Sequence, residues 1–335
     1  MDIPGGAFSA GSTPGEAGRD PELEPRKYTV ELGPYAIDLL PYPNDPARSP
    51  SLVKTRDEAK RACAERGARL CTELEWERAC KGPASEPFAT GKSWSSACQD
   101  KPNDCASGFG VLAMGSLLEW TASDVSPNDG ARRAAVKGAP PDAAAPDRRC
   151  AHRQALPPDQ TERTLGFRCC EGAPNAAVVR EPKLGTTFEK LTLTAARVEK
   201  LFRSDPRTEG LAKDVKFFRE PDATRTVIAR GPGDTKGFDF TVSPLRWNPV
   251  AGAEYLLLSG RSGDKVSFVV AYYVLGDDEY QLAASFIMKD EPGPVAFAYS
   301  QYIRPRLHFS TCWGCPGETG KILHRSPDTV AILQP

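Results

Sequence analysis

Ten cysteines constrain this chain more than any other feature of its sequence. They are Cys63, Cys71, Cys80, Cys98, Cys105, Cys150, Cys169, Cys170, Cys312 and Cys315. In a reducing compartment so many thiols would indicate metal sites, and a structural zinc site usually shows two Cys-x-x-Cys or Cys/His pairs. The first eight cysteines include no Cys-x-x-Cys, so disulfides explain them better. We therefore predict an oxidising, extracytoplasmic location: periplasmic, cell-surface or secreted.

Length and charge limit the organisation of the chain and its partners. Its 335 residues suit two domains better than one core. With 43 basic and 44 acidic side chains, the balance gives no reason to expect nucleic acid as a partner. No apolar run has the length of a membrane span, and the first five residues do not resemble a signal peptide. We expect the targeting segment to be absent from this chain, so that membrane contact comes only through a removed anchor.

Two short helices are predicted in the first half. Thr55-Arg56-Asp57-Glu58 and Thr72-Glu73-Leu74-Glu75 are capping boxes, in which a hydroxyl and a carboxylate satisfy free amides at a helix start. The spacing of the apolar residues that follow turns Cys63 and Cys80 toward the interior. Both cysteines therefore stand where structural bridges are expected.

The second half is predicted to be rich in β-structure. A third capping box, Thr186 to Glu189, predicts one helix at its start. The segments that follow are rich in β-branched and aromatic residues, and Gly-Asp-Asp before Glu279 indicates a hairpin turn. The predicted strands are Thr226–Arg230, Phe238–Val242, Tyr255–Leu258, Val266–Leu275, Tyr280–Met288 and Val295–Tyr299.

Four segments of the first half, taken in order, form a recognisable set of motifs. They are Ile3–Ser12 (IPGGAFSAGS), Pro34–Asp38 (PYAID), Cys63–Gly82 with its RLCTELEWE core, and the closing pair Arg149–Arg153 (RCAHR) and Gly166–Cys169 (GFRC). In this order they resemble the formylglycine-generating enzyme, or sulfatase-modifying factor, family. The resemblance implies a variant C-type-lectin-like fold. The predicted fold class is α+β: this domain at 1–172, a linker at 173–184, and a β-rich sandwich-like domain with one N-terminal helix at 185–335.

The resemblance also implies a set of disulfides. Family members with the bridged pattern pair the cysteines that correspond here to Cys63–Cys169 and Cys80–Cys150. Cys71 then lies near enough to Cys170 to pair with it, and Cys98–Cys105 closes a short loop.

The sequence departs from the family where the enzymes carry out their chemistry. The family oxidises a substrate cysteine with copper and oxygen, using two cysteines in a loop that begins here at Val136–Pro140. No cysteine lies between Gly138 and Arg149. Because a soft monovalent metal needs thiolate ligands, we predict a pseudoenzyme with no copper site and no catalytic residues.

A second departure concerns calcium. The family motif that supplies oxygen ligands corresponds to Gly110–Trp120, and its Asp and Asn are replaced by Ala113 and Ser116. Hard cations need several carboxylate and carbonyl oxygens. We therefore predict no cofactor, with calcium as a weakened option.

The second half contains one alternative site. His308, Cys312, Cys315 and His324 combine the only Cys-x-x-Cys with two of the three histidines. Two thiolates and two imidazoles are suited to zinc, and the cysteine pair is also suited to redox chemistry. A structural disulfide that closes a β-turn is the interpretation favoured by an oxidising compartment.

These observations predict a non-catalytic extracytoplasmic binding or scaffold protein with a protein or glycan partner. The alternative is a metal-dependent or redox enzyme that uses the His308/Cys312/Cys315/His324 cluster or the remodelled cleft. The partner is not identified by the sequence, because function depends on sites rather than on folds.

Overall fold

The structure is a computed structural model that describes residues 1–125, 131–160, 165–183, 185–300, 306–325 and 329–334. Residue 184, the last of the predicted linker, lies outside the described residues. The chain divides into two compact units, Met1–Pro182 (unit 1) and Lys183–Pro335 (unit 2). Within the described ranges, no helix is long and apolar enough to cross a membrane.

Unit 1 is built from short elements joined by long irregular connections. Its helices are α1 (Arg56–Ala64), α2 (Glu73–Lys81) and α3 (Ala97–Asp100). Its strands are β1 (Asp2–Ile3), β2 (Gly6–Ala10), β3 (Tyr28–Leu32), β4 (Tyr35–Ile37), β5 (Arg69–Leu70), β6 (Glu119–Val125), β7 (Arg133–Lys137), β8 (Arg153–Leu156), β9 (Gly166–Phe167) and β10 (Cys169–Glu171). They form sheets in the orders β1-β4-β10-β5 and β8-β7-β6-β9, together with the hairpin β2-β3.

The two predicted capping boxes are present at the starts of α1 and α2. Thr55 accepts from the amide of Glu58 at 3.2 Å, and Glu58 accepts from the amide of Thr55 at 3.2 Å. At α2 the corresponding distances between Thr72 and Glu75 are 3.3 and 2.8 Å. These local signals therefore determine where both helices begin.

The interior of unit 1 consists of two apolar clusters that contain most of its cysteines. One surrounds Trp76 and includes Cys71, Cys80, Cys150 and Cys170. The other surrounds Trp120 and Phe167 and includes Cys63 and Cys169. The bridges therefore cross-link the interior itself.

Residues 173–182 pack on unit 1. The Asn175 side chain accepts from the amide of Gly33 at 2.6 Å and donates to Glu75 at 2.9 Å. The guanidinium of Arg180 lies 4.6 Å from the centre of the Tyr28 ring. Most of the segment predicted as a linker is thus held against the first unit.

The described residues of unit 2 form two antiparallel sheets and two α-helices. The helices are α4 (Ala195–Arg203) and α5 (Asp222–Arg230). The strands are β11 (Thr187–Lys190), β12 (Val215–Lys216), β13 (Asp239–Thr241), β14 (Leu245–Asn248), β15 (Tyr255–Ser262), β16 (Val266–Gly276), β17 (Glu279–Lys289), β18 (Ala296–Ser300), β19 (Arg306–Ser310), β20 (Thr319–Arg325) and β21 (Thr329–Leu333). The sheet orders are β11-β14-β15-β16-β17, with β12 on β15, and β13-β18-β19-β20-β21.

Unit 2 has four layers, because alternate side chains along its strands pack against different neighbours. Leu257 and Phe297 lie in the cluster between the two sheets. Leu256 faces the other way and packs with Phe202 of α4. On the far side of the second sheet, α5 packs through Val227. The order of layers is therefore helix, sheet, sheet, helix, and the predicted α+β class with a sandwich-like second half is confirmed.

The start of unit 2 differs from the prediction. Thr187–Lys190 is a strand that pairs with Leu245–Asn248, and the Phe188 ring lies 4.7 Å from that of Tyr299. The helix begins at Ala195, where the Thr194 hydroxyl accepts from a backbone amide at 3.3 Å. The capping pattern at Thr186 was outweighed by pairing to β14, which supplies backbone hydrogen bonds along one side of the segment.

A second difference concerns Thr226–Arg230, predicted as a strand and found inside helix α5. Its β-branched residues favour a strand locally. Ala223 and Val227, four residues apart, are buried against the cluster that contains Trp313. Packing on the sheet therefore overrides local propensity, and unit 2 has two helices in its described residues where one was predicted.

Candidate functional site

Helix α2 carries charged side chains into the interior of unit 1. Glu73, Glu77 and Lys81 are spaced by four residues on one face and are 1%, 3% and 4% exposed. Glu77 Oε1 lies 2.9 Å from Lys81 Nζ and accepts from the amide of Gly11 at 2.7 Å. Burial opposes ionisation of Glu77, but the ammonium groups of Lys81 and Lys137 outweigh it and lower the pKa of the carboxyl. The face is therefore a buried, paired cluster of charges.

Lys137 completes this cluster from the end of β7. Its Nζ lies 3.3 Å from Glu77 Oε2, 3.7 Å from Glu73 Oε1 and 5.9 Å from the centre of the Trp76 ring. The side chain is fully buried. The resemblance places the start of the family's reaction loop at Val136–Pro140, which includes this residue. In this chain the position holds a structural ion pair.

The loop that follows is held by backbone contacts. Gly138 has φ 82°, and a Cβ there would lie 2.1 Å from the carbonyl oxygen of Leu117, so glycine is required. Arg148 is 1% exposed and donates to the carbonyls of Gly115 and Pro141 at 3.2 and 2.6 Å. The loop from 138 to 149 therefore packs closely on Leu117 at its start and is held by the Arg148 guanidinium near its end.

Arg149 and Arg153 continue the network of buried charge. Arg149 holds Glu24 through two hydrogen bonds of 2.6 and 2.8 Å. Burial opposes ionisation of Glu24, but the adjacent His152 and Arg149 outweigh it and lower its pKa well below the usual range. Arg153 lies 2.8 Å from Glu73. Each of these buried charges has a partner, as burial requires.

The guanidinium of Arg168 hydrogen-bonds to residues of the motif Gly110–Trp120. Arg168 hydrogen-bonds to Glu119 at 3.0 Å and donates to the carbonyls of Leu39 and Leu112 at 2.9 and 2.7 Å. Ala113, where the family has Asp, adopts φ 59°, and the Ser116 hydroxyl is buried without a hydrogen-bond partner. The carbonyl oxygens of Leu39 and Leu112 thus already accept hydrogen bonds from the Arg168 guanidinium.

All ten cysteines are paired, and no free thiol remains. Unit 1 contains Cys63–Cys169, Cys71–Cys170, Cys80–Cys150 and Cys98–Cys105, with Cα separations of 5.4, 4.9, 5.5 and 5.7 Å. Unit 2 contains Cys312–Cys315. These pairs coincide with those named from the sequence. Because thiolates are what a copper(I) ion needs, the residues do not fit a copper site.

Comparison with known proteins gives a family for part of the chain. Residues 40–173 match the family model of the sulfatase-modifying factor enzyme 1-like domain. Unit 1 therefore carries a sulfatase-modifying factor-like domain. Among solved structures, the chain is similar to PvdO from Pseudomonas aeruginosa, with 18% identity and a TM-score of 0.40 over 51% of this chain and 92% of that one. No curated protein matches the chain.

Unit 2 lies outside the range matched by the sulfatase-modifying factor-like domain, and its two histidines, named with Cys312 and Cys315 as the alternative metal ligands, have different partners. His308 packs edge-on against Phe238 and Trp313, with ring centres 5.7 and 5.8 Å away. His324 Nδ1 instead lies 3.2 Å from the hydroxyl of Tyr255. In the described residues no three His, Cys, Asp or Glu side chains are grouped to hold a metal ion.

Cys312 and Cys315 close a turn rather than open a helix. The amide of Cys315 donates to the carbonyl of Cys312 at 3.2 Å, the bond of a β-turn. Trp313 between them is buried, and its Nε1 donates to the carbonyl of Asp234 at 3.0 Å. This placement matches the structural disulfide and lacks the helix start expected of a redox motif.

Both histidines nevertheless border one cavity of about 660 Å³ at an end of the sandwich. It lies where β14 ends, β19 begins and β20 ends. Its lining consists of Thr186, Trp247, Pro249, Val250, Arg306, Leu307, His308, Lys321, Ile322, Leu323 and His324. Its lining residues carry positive charge, and none of those named is acidic.

Sequence reasoning missed the buried ion pairs of α2. The signal was available, because Glu73, Glu77 and Lys81 repeat every four residues on a helix that also carries Trp76. Such a repeat usually marks a solvated face. Only the positions of Lys137 and Arg153, far away in sequence, show that this face is interior.

Proposed function

We propose that the chain is a non-catalytic extracytoplasmic binding or scaffold protein built on a sulfatase-modifying factor-like domain. One observation carries this proposal: every cysteine is engaged in a disulfide. Copper-dependent oxidation of a substrate cysteine needs thiolate ligands in the loop from 138 to 149, where this chain has none.

The charged cluster of α2 is not a substitute for the copper-dependent oxidation site of the family. Lys137 and Glu73 are at most 1% exposed. Their charges are satisfied by one another and by Glu77 and Arg153. A general acid or base must reach a proton on the substrate, and these groups meet only each other. We therefore assign the cluster to stability.

The disulfides support an oxidising location. The bridges Cys63–Cys169 and Cys71–Cys170 join residues 106 and 99 positions apart. Bridges of this kind persist outside the reducing cytosol.

For the partner we favour a protein over a glycan. Four of the five tryptophans, Trp76, Trp120, Trp247 and Trp313, are at most 7% exposed, and the half-buried Trp94 ring is covered on one face by the guanidinium of Arg148, 5.1 Å from its centre. They pack in the interior and present little free surface for stacking on a sugar, so side-chain and backbone contacts with a polypeptide are the better match.

The first experiment incubates the purified chain with copper(I), oxygen and a cysteine-containing sulfatase peptide, with an active formylglycine-generating enzyme as the positive control. We expect no change in peptide mass in the presence of this chain. Formation of the aldehyde product would refute the proposal.

A peptide map of the non-reduced protein tests the observation beneath the proposal. We expect the five bridges and no alkylated cysteine. Free Cys312 and Cys315 with one bound metal ion per chain would favour the metal-enzyme alternative instead.

A further inference from the structure

Three basic side chains start from one face of the second sheet of unit 2. Arg306 and His308 are two positions apart on β19, so their side chains leave the strand on the same side. Lys321 of β20 stands directly opposite His308 in the antiparallel ladder, which places its side chain on that side too. All three residues line the cavity of about 660 Å³. Basic groups are therefore gathered at one wall of this cavity.

Arg306 and Lys321 are exposed, and neither has an ion-pair partner in the part of the chain that the structure describes. By contrast, Arg246 on β14 has Glu189 and Glu254 at 3.3 and 3.2 Å. The described lining of the cavity includes no Asp or Glu. An anion in the cavity would therefore meet two cations that no described carboxylate already neutralises.

Two residues that line the cavity carry a buried hydrogen-bonding atom without a partner. Trp247 is 5% exposed, and its Nε1 makes no hydrogen bond within the described ranges. The rings of Phe188 and Tyr255, with centres 6.4 and 5.6 Å away, hold the indole in place. Nδ1 of His308 is likewise buried and unpartnered there. Leaving such atoms unpaired costs free energy, so a ligand that brings oxygen atoms to them is stabilised.

The imidazole of His308 does not add a third charge to this wall. Burial lowers the pKa of His308, and the charges of Lys321 and Arg306 lower it further. The ring is therefore neutral near pH 7. A neutral imidazole donates or accepts at Nδ1 according to its tautomer, so it can hydrogen-bond to an oxygen of an anion.

The remainder of the lining is largely apolar. Val250 is 45% exposed, and Leu307 and Ile322 belong to the core between the two sheets. Trp247 and Pro249 also border the cavity. Small-molecule sites have volumes of roughly 300–1,000 Å³ and combine an apolar lining with a few polar groups. The cavity has both properties.

We propose that this cavity binds a small organic anion, a carboxylate or a phosphate ester attached to an apolar or aromatic body. Arg306 and Lys321 bind the anionic group, and Trp247 Nε1 and His308 Nδ1 hydrogen-bond to its oxygen atoms. The apolar wall receives the body of the ligand. This small-molecule site goes beyond the binding role proposed above and does not depend on it.

The test uses the full chain and a fluorescent probe of the stated chemistry, 8-anilinonaphthalene-1-sulfonate. The matched control is N-phenyl-1-naphthylamine, which has the same rings and no anionic group. We expect the sulfonate to bind at one site per chain, at least tenfold more tightly than the neutral amine, a difference of about 1.4 kcal/mol or more.

Competition then identifies the anionic group. Indole-3-acetate and 1-naphthyl phosphate are added to the complex with the probe, each beside its uncharged analogue, indole-3-acetamide or 1-naphthol. We expect at least one of the two anions to displace the probe and neither neutral analogue to do so. Displacement by the acetate alone assigns a carboxylate ligand, and displacement by the phosphate alone assigns a phosphate ester.

Variants locate the site. Arg306→Gln and Lys321→Gln should each weaken binding of the probe at least tenfold. Trp247→Phe keeps an aromatic ring and removes the donor, and should weaken binding by about threefold or more. Lys265→Gln removes an exposed charge in the turn between β15 and β16 and should leave binding unaltered. Circular dichroism checks that each variant is folded, and the two exposed positions, Arg306 and Lys321, test the proposal even if Trp247→Phe does not fold.

Four outcomes would overturn the proposal: no binding of the sulfonate at millimolar concentration, equal binding of the neutral amine, no displacement by either anion, or binding that is insensitive to both Arg306→Gln and Lys321→Gln. The result is independent of the peptide-oxidation assay, because the cavity belongs to unit 2 and the copper question to unit 1. Failure here would therefore leave the absence of catalysis unchanged.

Discussion

The two units of this chain are stabilised in different ways. Unit 1 has strands of two to seven residues, four disulfides and many buried charges. Unit 2 has strands of up to eleven residues and one short-range disulfide. Glu254 is the one charged side chain among its described buried residues.

The difference follows from how each unit satisfies its backbone. Long antiparallel strands pair their own amides and carbonyls and present regular apolar faces for packing. Irregular loops do neither, so unit 1 uses guanidinium groups such as Arg148 and Arg168 to satisfy loop carbonyls. Disulfides then restrict the unfolded chain.

Reduction of the disulfides should have the largest effect and should separate the two units. Each native bridge contributes about 2–4 kcal/mol of stability. The loss of all four bridges of unit 1 is therefore comparable to the whole free energy of unfolding of a typical domain, roughly 5–15 kcal/mol. We expect dithiothreitol to unfold residues 1–182 while 183–335 stay protected, as measured by hydrogen exchange with mass spectrometry. Earlier loss of protection in unit 2 would contradict the comparison.

Lys137→Met should strongly destabilise unit 1. The change leaves Glu73 and Glu77 with one fewer buried cation, and breaking a buried pair costs about 3–5 kcal/mol. The matched control is Lys183→Met in unit 2, whose exposed pair with Glu189 contributes less than about 1 kcal/mol. Urea unfolding measures both, and equal effects would show that burial of charge is not what distinguishes unit 1.

Acid should weaken unit 1 more than unit 2. Burial opposes ionisation of Glu24, Glu75 and Glu77, but cationic partners and hydrogen bonds lower the pKa of each. Their stabilisation is therefore present above the unfolded pKa, near 4.5, and is lost as the pH falls below it. Burial raises the pKa of Glu119, which partly offsets this loss.

We expect unit 1 to lose about 2–3 kcal/mol between pH 7 and pH 3, the scale of one strongly paired carboxylate. Thermal unfolding with separate probes for each unit measures it. Glu24→Gln should reduce the dependence of the stability of unit 1 on pH. An unchanged pH dependence would show that Glu24 does not contribute to it.

Removal of Cys312–Cys315 should have the smallest effect. The residues are three positions apart, and a loop that short gives about 2 kcal/mol or less by the chain-entropy estimate. We expect the double substitution Cys312→Ser/Cys315→Ser to leave unit 2 folded, with a small shift in its urea midpoint. Collapse of unit 2 would show that the turn holds α5 and the sheet together.

Local signals predicted some elements and misplaced others. The boxes at Thr55 and Thr72 predicted α1 and α2, because the cap is formed within four residues. The box at Thr186 failed, because pairing with Leu245–Asn248 made the segment a strand. A capping pattern shows that a helix start is available, and it does not show that the segment has no better partner.

The sequence by itself determined the absence of loop thiols and predicted the long strands of unit 2, because these depend on residue identity and short-range periodicity. The pairing of the cysteines was implied only by the family resemblance. Tertiary structure alone decided that Lys137 is buried beside Glu73 and Glu77, and that α5 is a helix. Each of these depends on contacts between residues distant in the chain. Burial and strand pairing are set by the whole packing arrangement, so local sequence does not specify them.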